Sequence, residues 1–202
     1  MSYGTPSKGR VAGAEKFIDS PAARVLPDRH RARCLWWGTQ RLVRALAGAG
    51  AVVAGKHPGS PPLGIGNIGR ARGGAIPFSH SHQAGRDADI AFYLLDGDHQ
   101  PVAATDLVTI HDDLQGLDIP RTWTLVETLV EDTSIEIRWL FVSNAIRRAL
   151  LVEGKRAGAS ERTLGKVDAA LHQPSDAPPH DDHLHVRIRC TAVEARNGCR
   201  DG

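Results

Sequence analysis

The spacing of apolar positions changes several times along the chain, and each change marks an element. Between residues 33 and 53, Leu35, Trp36, Leu42, Val43 and Leu46 recur at helical spacing, which predicts a helix ending around Gly48 and Gly50. Residues 56–77 are rich in glycine and proline and read as loop with short extended pieces at most. Ile90, Phe92 and Leu94 then alternate with smaller residues, and Tyr93 favours pleated backbone, so 87–95 reads as a strand turned by Asp96-Gly97-Asp98. Further on, the pattern predicts a helix over 123–130, a strand over 135–142 and a helix capped by Asn144 and running to 152. A helix over 161–171, a proline-containing loop over 173–179 and an alternating strand over 183–190 follow. Strands and helices mix without a regular βαβ rhythm. The expected fold class is therefore α+β, a single domain over 1–202 with a mainly antiparallel central sheet flanked by helices and residues 1–15 as a flexible N-terminus.

Composition narrows the picture. The chain has 202 residues, 41% hydrophobic and 24% charged, which suits one globular domain with a sizeable core. A net charge of +2 gives no electrostatic argument for a nucleic-acid partner. The longest apolar region, residues 42–54, contains Arg44 and several glycines and is too short to span a membrane. Residues 1–13 are polar and glycine-rich without an apolar h-region, so no secretory signal is visible; removal of a signal and a cytosolic home both fit. Cys190 and Cys199 are close enough to close a small loop and Cys34 is left over, but spacing alone leaves a disulfide and free thiols equally open.

Two histidine-rich clusters carry the candidate chemistry. The first runs Ser79-His80-Ser81-His82-Gln83-Ala84-Gly85-Arg86-Asp87-Ala88-Asp89, the second His180-Asp181-Asp182-His183-Leu184-His185. Residues i and i+2 of a strand share a face, so His183 and His185 present two imidazoles side by side, suited to one metal ligand and one neighbouring base. His82 in a loop and Asp89 at the start of a strand can converge, with Gly85 allowing a tight turn, and a ligand from the late strand would complete a three-residue zinc site. A single His-x-His pair fits a surface pair as well as a metal site; two clusters, each ending in a predicted strand, bring metal into play. Asp87, Asp181 and Asp182 read as partners fixing histidine tautomers or as solvated loop charges, the latter favoured for Asp181.

The spacing His82-x6-Asp89, followed about a hundred residues later by His183-x-His185, resembles the zinc signature of lysostaphin-type peptidases, D-Ala-D-Ala peptidases and hedgehog domains. Residues 81–90 and 179–190 resemble the two signature blocks of one branch, the penicillin-insensitive murein endopeptidases, nearly residue for residue, with weaker similarity at 66–74 and 139–148. That resemblance implies a zinc endopeptidase cutting the D-alanyl–diaminopimelyl cross-link of peptidoglycan. It implies His82, Asp89 and His185 as zinc ligands, His183 as catalytic base and His180 as a further active-site histidine. It also implies a Cys190–Cys199 disulfide and a periplasmic or otherwise extracytoplasmic home. One departure is plain: where the family carries a histidine three residues before the first ligand, this chain has Ser79, with His80 beside it.

Other features are less telling. Trp36, Trp37, Trp123 and Trp139 sit in apolar periodic segments and read as core. Gly64-Ile65-Gly66-Asn67-Ile68-Gly69 fits a GxGxxG pattern but lacks the strand before and helix after it that nucleotide binding needs. Arg70 and Arg72 fit a contact to a substrate carboxylate or an ordinary solvated loop. His30 and His57 are expected to be exposed, and His99, His111 and His172 carry no pattern. Two other functions compete with the endopeptidase: a D,D-carboxypeptidase of the same superfamily, which would close one end of its groove with a cation, and a non-catalytic zinc-containing cell-wall-binding module. The base beside a ligand, His183 next to His185, argues for an enzyme, since a structural zinc takes a fourth protein ligand instead.

Overall fold

The computed structural model describes residues 1–77, 79–175 and 177–202. The chain opens with an antiparallel hairpin, β1 (Ser2–Thr5) on β2 (Lys8–Val11). After β3 (Glu15–Lys16) and β4 (Ala23–Val25) come the short helix α1 (Arg29–Arg33), β5 (Trp37–Gly38) and the long helix α2 (Gln40–Lys56). The middle third carries β6 (Leu63–Ile65), β7 (Asp87–Ile90) and a small ladder of β8 (Leu94–Leu95) and β9 (Pro101–Val102). The last third runs α3 (Ile119–Glu131), β10 (Ile137–Phe141), α4 (Asn144–Arg156), α5 (Glu161–Ala170), β11 (Leu171–His172), β12 (Leu184–Ile188) and α6 (Ala192–Arg196).

Six strands form the central sheet in the order β11-β10-β12-β7-β6-β4. The inner pairings are antiparallel and the two edge pairings, β10 with β11 and β6 with β4, are parallel. This is the α+β architecture that the sequence pattern predicts. Strand pleating gives the sheet two unlike faces. Leu184, Val186 and Ile188 of β12, Ala88 and Ile90 of β7 and Leu140 of β10 are fully buried, in one core with Leu42 and Leu46, Leu125 and Leu129, and Ile146 and Val167 from the helices. Each large side chain buried there contributes about 1.5–3 kcal/mol, less the conformational entropy it loses. The intervening positions put Asp87, Asp89, His185 and Arg187 on the opposite face, beside Trp139 and Phe141 of β10.

Several elements differ from the sequence expectation. Helix α2 starts at Gln40, because Leu35–Trp37 is drawn out to bond with Phe17, Ile68 and Gly69. The predicted strand over 87–95 stops at Ile90, and Leu94–Leu95 pairs with β9 instead. The glycine-rich stretch 56–77 supplies β6, an inner strand of the sheet. Helix α3 begins at Ile119, where the Asp118 carboxylate accepts from Arg121 N, and α4 is capped by Ser143, one residue before Asn144. The predicted loop over 173–179 includes Asp176, which lies outside the described residues. Trp123 is core as expected and lies flat over Gly154, where a Cβ would fall 2.4 Å from the indole; Trp36, Trp37 and Trp139 are only half-buried. His30 is not exposed: it is 2% accessible, with Nε2 2.8 Å from Asp106 Oδ1.

Residues 1–15, read from the sequence as a loose terminus, include the β1–β2 hairpin, and its first residue is held by the other end of the chain. Ser2 N donates to Glu194 Oε1 at 2.9 Å, and the fully buried Arg86 donates to Ser2 Oγ, the carbonyls of Ile188 and Arg200, and Asp201 Oδ1. Five N–H donors in a rigid fork let one side chain tie both termini to the sheet. A Cys190–Cys199 disulfide closes the segment containing α6, and Cys34 is a free, exposed thiol. No helix among the described residues is long and apolar enough to cross a membrane.

Candidate metal centre

The polar face of the sheet gathers both histidine clusters. Asp89 and His185 stand opposite each other on β7 and β12, with His185 Nδ1 3.1 Å from Asp89 Oδ1. His82 enters from the loop before β7 in a left-handed conformation, φ 65°, which costs a non-glycine residue about 1–3 kcal/mol. That twist turns its Nε2 to within 3.1 Å of the same Asp89 oxygen, while Nδ1 lies 3.0 Å from the Ile68 carbonyl. His82, Asp89 and His185 are all buried, and one ligand atom from each lies within 4.8 Å of the others. The three residues placed together from the sequence meet.

The Ile68 carbonyl fixes where the His82 proton sits. A carbonyl only accepts, so His82 Nδ1 carries the hydrogen bonded to Ile68 and Nε2 is bare. His185 has a carboxylate at each ring nitrogen, with Nε2 3.0 Å from Asp87 Oδ1 and Nδ1 3.1 Å from Asp89 Oδ1. Asp87 is fixed in turn by Arg187 Nε at 2.6 Å, and Asp89 Oδ2 accepts from Asn67 Nδ2 at 3.2 Å. Two imidazole nitrogens and a carboxylate oxygen therefore face one point. Such a set repels itself unless a cation, or added protons, lies between its members. Two nitrogens and one oxygen are also the donor set of a three-ligand zinc site, so the residues fit a metal ion.

Without metal, the titration of the cluster follows that tension. Burial pulls His82 down, but the charge and hydrogen bond of Asp89 outweigh it and hold the imidazole above its usual value. Burial raises Asp89, but the charges of His82 and His183 hold it well below the usual carboxylate range. Asp87 is likewise depressed, its burial outweighed by the His185 hydrogen bond and the Arg187 charge.

His183 lies just ahead of β12, with Nε2 3.3 Å from Asp89 Oδ1 and Nδ1 2.6 Å from Asp182 Oδ1. Burial lowers it, but the Asp89 charge and the hydrogen bonds of Asp182 and Asp89 prevail and push it up to about 10. His180 moves the other way, to about 4, through burial and then the charges of His183 and His185. Its ring centroid lies 5.4 Å from that of His183 and 5.5 Å from that of Phe141. Of the three acidic neighbours, Asp87 and Asp182 bond to histidines, whereas Asp181 contributes its carbonyl, which accepts from Ile110 N.

Ser79 caps its own loop through Ser81 N at 3.2 Å, while His80 is exposed. Arg70 and Arg72 are exposed loop residues. Several contributors carried no readable signal. Asn67 and the Ile68 carbonyl come from the glycine-rich stretch set aside as a nucleotide motif, and Gly66 N bonds Asp89 O at 2.8 Å beside them. Phe141 packs against His185 with centroids 5.2 Å apart, and Gln173 Oε1 accepts from His180 N at 3.0 Å.

Comparison with known proteins points to one family. A profile described as penicillin-insensitive murein endopeptidase matches residues 2–201. The chain is 29% identical to the penicillin-insensitive murein endopeptidase of Klebsiella pneumoniae subsp. pneumoniae over 202 residues, covering 95% of this chain and 67% of that protein. It is 34% identical to the protein of that name from Pectobacterium atrosepticum over 211 residues, covering 95% and 66% respectively. For the one from Haemophilus influenzae the identity is 26% over 217 residues, covering 98% and 70%. The chain thus spans about two thirds of the length of these relatives.

Proposed function

The chain belongs to the penicillin-insensitive murein endopeptidase family, and from that premise we propose that it is a zinc peptidase hydrolysing the D-alanyl–diaminopimelyl cross-links of peptidoglycan. The observation that carries the reading is the meeting of His82 Nε2, His185 Nδ1 and Asp89 Oδ1 around one point in a buried site. These three side chains would hold the ion. A zinc ion bound by three protein ligands polarises the scissile carbonyl and brings its water toward a pKa of about 7.

The remaining residues divide the other work. Asp182 keeps a proton on His183 Nδ1, so Nε2 is free to take the proton of the attacking water. With an ion held there, the Asp89 charge that keeps His183 near 10 would be offset, and His183 would come into the range of a working base. His180, kept neutral, flanks His183 and lines the same side of the centre. Asp87, clamped by Arg187, holds His185 in the tautomer that aims Nδ1 at the ion. Hydrolysis by an activated water forms no acyl-serine, so a β-lactam finds no nucleophile to acylate. The Cys190–Cys199 bridge suits an oxidising compartment and supports action in the periplasm, with residues 1–202 acting as one peptidase domain.

Digestion of purified cross-linked muropeptides, followed by mass spectrometry, tests this. Release of monomers is expected and is to be abolished by chelation and restored by zinc. Loss of a single terminal alanine would instead identify a carboxypeptidase, and no cleavage with zinc bound would leave a binding module.

A further inference from the structure

His180, His183 and His185 form a second group whose ligand atoms lie within 4.8 Å of one another, sharing only His185 with the first. Asp182 engages His183 Nδ1, which leaves Nε2 as the nitrogen that can turn to an ion. His180 Nδ1 is buried without a hydrogen-bond partner among the described residues. The backbone of His180 is nevertheless fixed: its N–H donates to Gln173 Oε1 at 3.0 Å and its carbonyl accepts from Ser143 N at 2.7 Å. The ring is therefore presented rather than loose. Ring centroids are 5.4 Å apart for His180 and His183, 6.0 Å for His180 and His185, and 6.3 Å for His183 and His185. Nitrogens at ~2.1 Å from one ion stand roughly 3.4 Å apart in tetrahedral geometry, so modest side-chain rotation closes this set.

We propose that His180, His183 and His185 form a second, all-nitrogen cation seat, exclusive of the His82–Asp89–His185 seat because His185 Nδ1 serves one ion at a time. The two seats differ in chemistry. One includes a carboxylate; the other is three imidazoles, more accessible and without a charged ligand. Cu2+, which binds imidazole more strongly than Zn2+ does, is the ion that favours the second seat, while Zn2+ keeps to the seat with the carboxylate. An ion there occupies the His183 lone pair, and the consequence for turnover rests on the hydrolase reading above, though the binding does not.

Metal-stripped full-length protein loaded with one equivalent of Cu2+ provides the test by electron paramagnetic resonance. The spectrum of the unsubstituted protein is expected to show three coordinated nitrogens, falling to two in His180→Ala. A two-nitrogen spectrum that His180→Ala leaves unchanged would place the copper in the first seat and overturn the proposal. Zinc gives a second arm, read by equilibrium dialysis with circular dichroism to confirm folding. His82→Ala should still bind zinc, about tenfold or more weakly, and His82→Ala/His180→Ala should lose it. A folded His82→Ala protein that binds no zinc, beside an unsubstituted protein that does, overturns the second seat and leaves the proposed function standing. If the unsubstituted protein binds no zinc either, both fall.

Discussion

His185 Nε2 lies 3.0 Å from Asp87 Oδ1, across two antiparallel strands and 98 residues of sequence. This contact, rather than any feature of His185 itself, decides which imidazole nitrogen faces Asp89. Asp87 sits two residues from Asp89 on the same strand face, so one strand supplies both the carboxylate at the cluster's centre and the carboxylate that orients its neighbour.

Replacing Asp87 with asparagine should therefore weaken zinc binding without removing a ligand. Loss of an orienting carboxylate of this kind typically costs 10- to 100-fold in metal affinity, about 1.4–2.8 kcal/mol. Chelator competition on the Asp87→Asn protein measures it, and affinity equal to that of the unsubstituted protein would show that Asp87 is a passive neighbour.

His183→Ala separates binding from chemistry. The proposed ligands remain, so zinc content should stay at that of the unsubstituted protein while muropeptide cleavage falls by about 10²–10⁴-fold. Metal analysis beside turnover decides the matter. Zinc lost together with activity would mean that His183 is a ligand.

The metal-free protein should lose stability as the solution becomes alkaline. Folding raises His183 from 6.5 to about 10, the Asp89 charge outweighing burial, and raises His82 for the same reason. A group raised on folding stabilises fully below its unfolded value and loses that contribution as pH climbs through the folded one. Urea midpoints of the stripped protein should therefore fall between pH 6.5 and about 10, with zinc-loaded protein spared this loss. Zinc affinity should rise over the same interval, since fewer protons must be displaced. Midpoints of the stripped protein that do not fall there would contradict the argument.

Breaking the Cys190–Cys199 bridge frees a loop with a sequence separation of 9. Chain-entropy arithmetic for a loop of that size predicts a loss of about 2–3 kcal/mol. Denaturation of Cys190→Ser, or of the reduced protein, checks this. The loss should leave zinc affinity intact, because the first seat lies on β7, β12 and the loop carrying His82, outside the bridged segment.

The sequence by itself determined which side chains are available and how they sort onto faces. Alternation at Leu184-His185-Val186-Arg187-Ile188 is local: a two-residue repeat sends His185 and Arg187 one way and the three apolar residues into the core, whatever lies beside the strand. The mixed helix and strand pattern fixed the α+β class for the same reason, and the two histidine blocks marked the centre. Tertiary structure alone decided the rest. The positive φ of His82, the Ile68 carbonyl that fixes its tautomer, Asn67 on Asp89 and β6 arising inside a glycine-rich stretch depend on contacts 14 to 22 residues apart or more. His30 and Arg86 were buried by partners 76 to 115 residues away. Hydrogen bonds at such separations leave no periodicity, because what selects them is the shape of the assembled sheet and not the spacing of neighbours along the chain.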